Sequence, residues 1–273
     1  MILDSELPRF CFRKHWACPL TLLLFGLANQ GLQAQEISNS WKFTVGVGAI
    51  NQPKFPGGSE SMSRVLPFVA IEYGRVFLGG APGTGIPAGL GAYLYRDSVW
   101  TLGVGLGQDL TKPRRESDSP RLHGLGDIDS TPLGAIFAGG RWPWFAVRAS
   151  VVSDIGGNDE GTRASLDLEA RYHPSSNITL AAGPGATWAD RRYQQTFFGI
   201  SKIQSLNSGL EEYMVGSGIN NLRFSLSMDL RLNRQWILGT RFTITALNGE
   251  AARSPITERK RTNSLAMFGA YRF

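Results

Sequence analysis

The chain has 273 residues, of which 42% are hydrophobic and only 18% charged, with 33 glycines, 14 prolines and a formal net charge of +6. That charged fraction lies below the roughly 25% of an ordinary soluble domain, yet the chain is too apolar for disorder, and its glycines keep no three-residue collagen period. The basic residues are scattered singly, unlike a nucleic-acid footprint, and no run reaches the roughly 18 apolar residues of a membrane helix.

The first segment reads as an address. Arg9, Arg13 and Lys14 precede the apolar run Leu20 to Ala28, and Ala34 stands before Gln35. A positive start, an apolar core of about ten residues and a small residue at the cut describe a secretory signal peptide over 1–34. Leu32, two residues before Ala34, leaves the exact cut open. The remainder, 35–273, is expected to be one exported domain. Cys11 and Cys18 both fall in the removed part, so it holds no thiol for a disulfide or a metal.

From Trp41 onward the chain alternates with period two and shows no convincing helical period. Between Thr162 and Tyr172, Ala164, Leu166, Leu168, Ala170 and Tyr172 share one face, opposite Arg163, Ser165, Asp167, Glu169 and Arg171. Asn221 to Arg231 and Trp236 to Leu247 repeat the pattern. Counting such segments predicts about twelve strands: 41–51, 63–73, 75–79, 86–95, 99–107, 131–140, 144–153, 162–172, 178–188, 218–232, 236–247 and 262–273. Many run to the roughly ten residues that a tilted strand needs to cross a bilayer. The third is short, and Pro67 and Pro184 fall inside strands, where proline removes a ladder donor, so ten or fourteen strands stay open.

Connections alternate between short ones, such as Gly74 and Arg96–Ser98, and long ones, such as Gln108–Ser130 and Ala189–Ser217. Trp41, Tyr73, Tyr95, Trp100, Trp142, Trp144, Tyr172, Trp236, Tyr271 and Phe273 gather at the short-turn end or the chain end. Short turns, long loops and an interfacial aromatic girdle describe a closed antiparallel transmembrane β-barrel. Its short turns and both termini are expected to be periplasmic and its long loops extracellular, in the outer membrane of a Gram-negative bacterium, with that membrane's lipids against its wall.

The long loops carry a resemblance. Pro53-Lys54-Phe55-Pro56-Gly57-Gly58, Gly124-Leu125-Gly126-Asp127-Ile128, Phe198-Gly199-Ile200-Ser201, Ser208-Gly209-Leu210-Glu211-Glu212-Tyr213, Ser254-Pro255-Ile256 and the Tyr271-Arg272-Phe273 end resemble, in order and spacing, the MipA/OmpV family of outer-membrane proteins. The likeness spans essentially all of the exported part. It implies a non-enzymatic barrel that scaffolds cell-wall enzymes, with a lytic transglycosylase and a bifunctional penicillin-binding protein (a peptidoglycan synthase) as partners. No short motif transfers that role residue by residue.

The inward face carries the remaining chemistry. Arg148, Arg163, Asp167, Glu169, Arg171, Arg223, Asp229 and Arg241 are expected to line the lumen as a charge network, along with Lys42, Arg64, Glu72, Arg231 and Arg272. Such charges must be paired or hydrated. The plainer reading is a set of bridges that stiffens the barrel. The sharper one is a narrow channel or anion-binding transport barrel, and long loops leave a surface adhesin as a third. The third and fifth loops have room to fold inward, bringing Asp127, Glu211 or Glu212 to the arginines. Gly46-Val47-Gly48 and Gly103-Val104-Gly105 lack the spacing and the following helix of a phosphate loop and read as strand glycines. Ser119 or Ser130 near His123 is the nearest approach to a hydrolase, and Asp118, Asp127 and Asp129 to a calcium loop. Neither has a recognised spacing, so no catalytic residue, metal or cofactor is expected.

Overall fold

The computed structural model describes residues 40–79, 89–108 and 112–273. The segment read as a signal peptide lies outside the described residues. Twelve strands are described: β1 (Trp41–Pro53), β2 (Ser61–Tyr73), β3 (Val76–Leu78), β4 (Gly89–Arg96), β5 (Trp100–Gln108), β6 (Pro132–Arg141), β7 (Phe145–Asp154), β8 (Thr162–Ser175), β9 (Ile178–Ala189), β10 (Gly218–Arg231), β11 (Trp236–Leu247) and β12 (Arg261–Arg272). Each pairs antiparallel with its sequence neighbours, and β1 with β12 closes the barrel. A closed sheet leaves no edge of unpaired backbone, the condition for crossing lipid with strands. Among the described residues no helix is long and apolar enough to cross.

Alternation sets the two faces. Leu222, Phe224, Leu226 and Met228 stand exposed on the outside of β10, as do Leu166 and Leu168 on β8. Between them Ser225 meets Thr243 at 3.0 Å and Ser165 meets Thr187 at 3.0 Å on the inner side. Leaving a large apolar side chain in water costs roughly 1.5–3 kcal/mol against burial. An outer belt that includes Val47, Val65, Ile136 and Leu226 therefore needs hydrocarbon around it. At the short-turn end Trp41 lies against Tyr73 at 4.6 Å, Trp100 against Trp142 at 5.2 Å, and Trp236 against Tyr271 at 5.2 Å. These rings form the girdle of an outer-membrane barrel, whose short turns face the periplasm.

Both prolines sit within strands, and the ladder beside Pro184 makes room for it. Pro184 stays in the β10 ladder opposite Phe224, while the β8 ladder keeps its register but has no pair at Gly183 or Pro184. Pro67 pairs with Val47, and among the described residues β3 pairs with Ile71 to Tyr73.

Inside, the barrel has two halves. On the β2–β6 side Phe77, Tyr93 and Phe137 pack together, and Phe68 packs with Phe268 and Ala270. Glycine makes this possible: a Cβ on Gly46 would lie 2.3 Å from the Phe68 ring, and one on Gly103 2.4 Å from that of Phe137. The strand glycines thus let rings lie flat on the wall. On the β7–β11 side the wall is charged.

The long connections among the described residues are L1 (54–60), L3 (112–131), L4 (155–161), L5 (190–217) and L6 (248–260). L5 departs from the helix-free reading, since it folds into α1 (Arg191–Phe198) and α2 (Lys202–Ser208). Helices of eight and seven residues are too short to show a period. Their caps were the legible signal: Asp190 accepts from the Tyr193 N–H, and Ser201 with Gln204 forms a capping box.

Candidate functional site

The lumen charges fall into connected groups. Arg223 holds Asp167 by two bonds of 2.8 Å and reaches Thr187 Oγ1 at 2.6 Å. Glu169, only 8% exposed, accepts from Arg148 at 2.5 and 3.0 Å and from Arg241 at 3.2 Å. Asp229 and Glu169 lie within the electrostatic reach of Arg171. Arg163, near the long-loop end of β8, lies 5.8 Å from the Tyr193 ring on α1. The structure therefore brings Arg148, Asp167, Glu169, Arg171, Arg223, Asp229 and Arg241 into one band across β7–β11, and sets Arg163 apart beneath the loops.

Two inward cations escaped the sequence reading. Arg96 donates to Glu72 at 2.6 Å, beside Lys42 at 3.7 Å from the same carboxylate. The sequence reading puts Arg96 in a turn, but β4 runs through it, and a register shift between Tyr93 and Tyr95 leaves Leu94 and Tyr95 both exposed and turns Arg96 in. Arg141, assigned to a turn from sequence, closes β6 opposite the buried Ala146.

Above the lumen the long loops build a second core. Phe55 of L1, Leu122 and Leu125 of L3, Ile200 of L5 and Ile256 of L6 are buried together. Ile128, Phe197, Phe198, Val215 and Ala251 form its continuation. L3 leaves between β5 and β6 and L6 between β11 and β12, six strands apart in a circle of twelve. Their contact must span the mouth, so the loops form a lid. Polar ties fasten it. The Glu258 carboxylate accepts from the Ser59 N–H at 2.8 Å, the Ser59 hydroxyl at 2.5 Å and the Ser119 hydroxyl. Arg121 donates to the Pro255 carbonyl at 2.9 Å, Gln204 to that of Leu125 at 2.7 Å, and Ser254 to that of Phe198 at 2.5 Å.

Several expectations about the loops are corrected here. L3 and L5 pack on one another instead of folding down to the arginines. Asp127 pairs with Lys112 at 2.9 Å, and Glu211 and Glu212 are exposed. Lys112 also meets Asp129 at 2.7 Å, so an ammonium bridges the two carboxylates considered for calcium. Ser119 shares a surface cleft with His123 but gives its hydroxyl to Glu258. Ser130 accepts from Gln108 at 3.3 Å.

Glu258 is expected to give the lid a pH dependence. Burial raises its pKa, but the bonds from Ser119 and Ser59 outweigh that and hold it below the ordinary value near 4.5. A depressed carboxylate stabilises the folded form fully above its unfolded pKa and loses that stabilisation as pH falls through the folded one. Protection against hydrogen exchange in L1, L3 and L6, taken relative to the intrinsic amide rate at each pH, should therefore hold from neutral pH down to about 4.5 and fall below it. Glu258→Gln should flatten the profile.

Every loop stretch quoted from the sequence, from Phe55 to Ile256, lies in or beside this lid core. The solved structures it resembles include an outer-membrane channel from Pseudomonas putida F1, with 12% identity and a TM-score of 0.45 over 90% of this chain and 100% of that one. The NanC porin gives 8% identity and 0.43 over 83% and 98%. Proteins described as "MltA-interacting protein" from Escherichia coli (strain K12) and Shigella flexneri are each 22% identical over 186 residues, which covers 68% of this chain and 74% of theirs. The family model described as "MltA-interacting protein MipA" matches residues 45–273, nearly the whole barrel and its lid. The chain belongs to the MipA family of outer-membrane β-barrel proteins.

Proposed function

We propose that this protein is a non-enzymatic anchor that holds a lytic transglycosylase, and through it a bifunctional penicillin-binding protein, at the periplasmic side of the outer membrane. The observation that carries this reading is the family match, which runs through strands and lid alike and includes relatives described as interacting with MltA. The lid supports it from the other side: loops that cross the mouth suit a closed anchor better than an open pore. The band of bridges around Glu169 and Asp167 then stiffens a barrel loaded from below.

The test is affinity capture of the detergent-extracted, tagged protein together with planar-bilayer recording. Retention of a lytic transglycosylase with no steady conductance is expected. Stepwise, anion-selective conductance without retention would assign the barrel to transport, the reading the basic lumen favours. Binding to host surfaces alone would make it an adhesin.

A further inference from the structure

The periplasmic end of the lumen gathers more cations than carboxylates, with Glu72, Glu169 and Asp229 as the acids on its inner face. Lys42, Arg96, Arg141, Arg231 and Arg272 lie at the short-turn ends of their strands or at the start of β1, and Arg171 lies four residues before the end of β8. Their cross-strand partners fix the inward direction: Lys42 is opposite Glu72, Arg141 opposite Ala146, and Arg231 opposite Ile237, which packs on Phe268. Glu72 is taken by Arg96 and Lys42. Glu169, one step deeper, is taken by Arg148 and Arg241.

Arg141 is left over. Its guanidinium makes no hydrogen bond or ion pair with any described residue. The charges acting on it most strongly are Arg171 and Arg148, with Arg96 acting more weakly and Glu169 as the one carboxylate among them. A cation gathered with like charges in a wall of lowered dielectric is held at a cost that a bound anion removes. Guanidinium forks match carboxylate and phosphate oxygens two at a time.

We infer that the periplasmic vestibule binds a compact anionic solute bearing carboxylate or phosphate groups, seated between Arg141 and Arg171. The site opens to the periplasm because the opposite mouth is crossed by the lid. It takes a compact solute because its cations point into the lumen, where Phe77, Tyr93 and Phe137 pack together and Arg96 lies over the Tyr93 ring. This inference stands apart from the anchoring role and survives or fails without it.

The test is isothermal titration of the full-length protein in detergent at low salt, with citrate and pyrophosphate as the two probes. Saturable binding of at least one is expected, and which one shows whether carboxylate or phosphate is preferred. Arg141→Gln and Arg171→Gln, each checked for heat-modifiable mobility, should weaken it by about tenfold or more, the loss of a charge-assisted contact. Arg192→Gln on the outer loops should leave it unchanged. Absence of saturable binding for both probes, or undiminished affinity in both collar variants, would overturn the site. Binding of a hexaglutamate peptide with no binding of either probe would also overturn it, by assigning the collar to a protein partner.

Discussion

Leu168→Arg is expected to cost about 2–4 kcal/mol of folding free energy in lipid vesicles, because it places a guanidinium in hydrocarbon near the middle of a crossing strand. Leu168 stands outward at the centre of β8, between the inward Asp167 and Glu169. Ser165→Ala on the same strand removes only one hydroxyl pair with Thr187, a change of about 1 kcal/mol. Urea titrations compared at constant slope read both values. The reverse order would mean a one-residue slip, which exchanges every inward side chain for an outward one.

Glu169→Gln should cost about 3 kcal/mol, since breaking a buried ion pair leaves its partner uncompensated. Here the loss would strand two arginines, Arg148 and Arg241, with Arg171 beside them. Glutamine keeps the shape, so the effect isolates the charge. Replacing the pair together, as Arg148→Met with Glu169→Leu, should recover part of the loss, because Arg148 no longer needs a partner while Arg241 still does. A double variant as weak as the single one would show that Glu169 acts through packing.

The strands were legible because lipid and lumen impose opposite demands on neighbouring residues. Thr162 to Tyr172 shows both demands in eleven consecutive letters, and the structure gives it the expected faces. Alternation failed where the backbone departs from it. The irregular step at Leu94 turned Arg96 inward, and Arg141 was hidden by lying beside a tight turn. Pro184 looked like an interruption because a sequence does not show that the neighbouring β8 ladder is unpaired at that level.

The lid was the least legible part. Phe55, Leu122, Ile200 and Ile256 come from four loops with no period, and their convergence follows from barrel closure, a tertiary fact. The family resemblance singled out these stretches without indicating that they touch. Glu258 carried no signal at all, although it ties L1 and L3 to L6.

Cysteine labelling from outside intact cells tests the whole arrangement most directly, in a background with Cys11 and Cys18 replaced. Ile203 on α2 is 72% exposed and Leu122 in the lid core 0%, while Asn233 lies in a short turn between β10 and β11. A membrane-impermeant maleimide should label Ile203→Cys in intact cells, Asn233→Cys only after the outer membrane is permeabilised, and Leu122→Cys only after unfolding. Labelling of Asn233→Cys in intact cells with Ile203→Cys protected would invert the barrel, and labelling of Leu122→Cys as fast as Ile203→Cys would remove the lid.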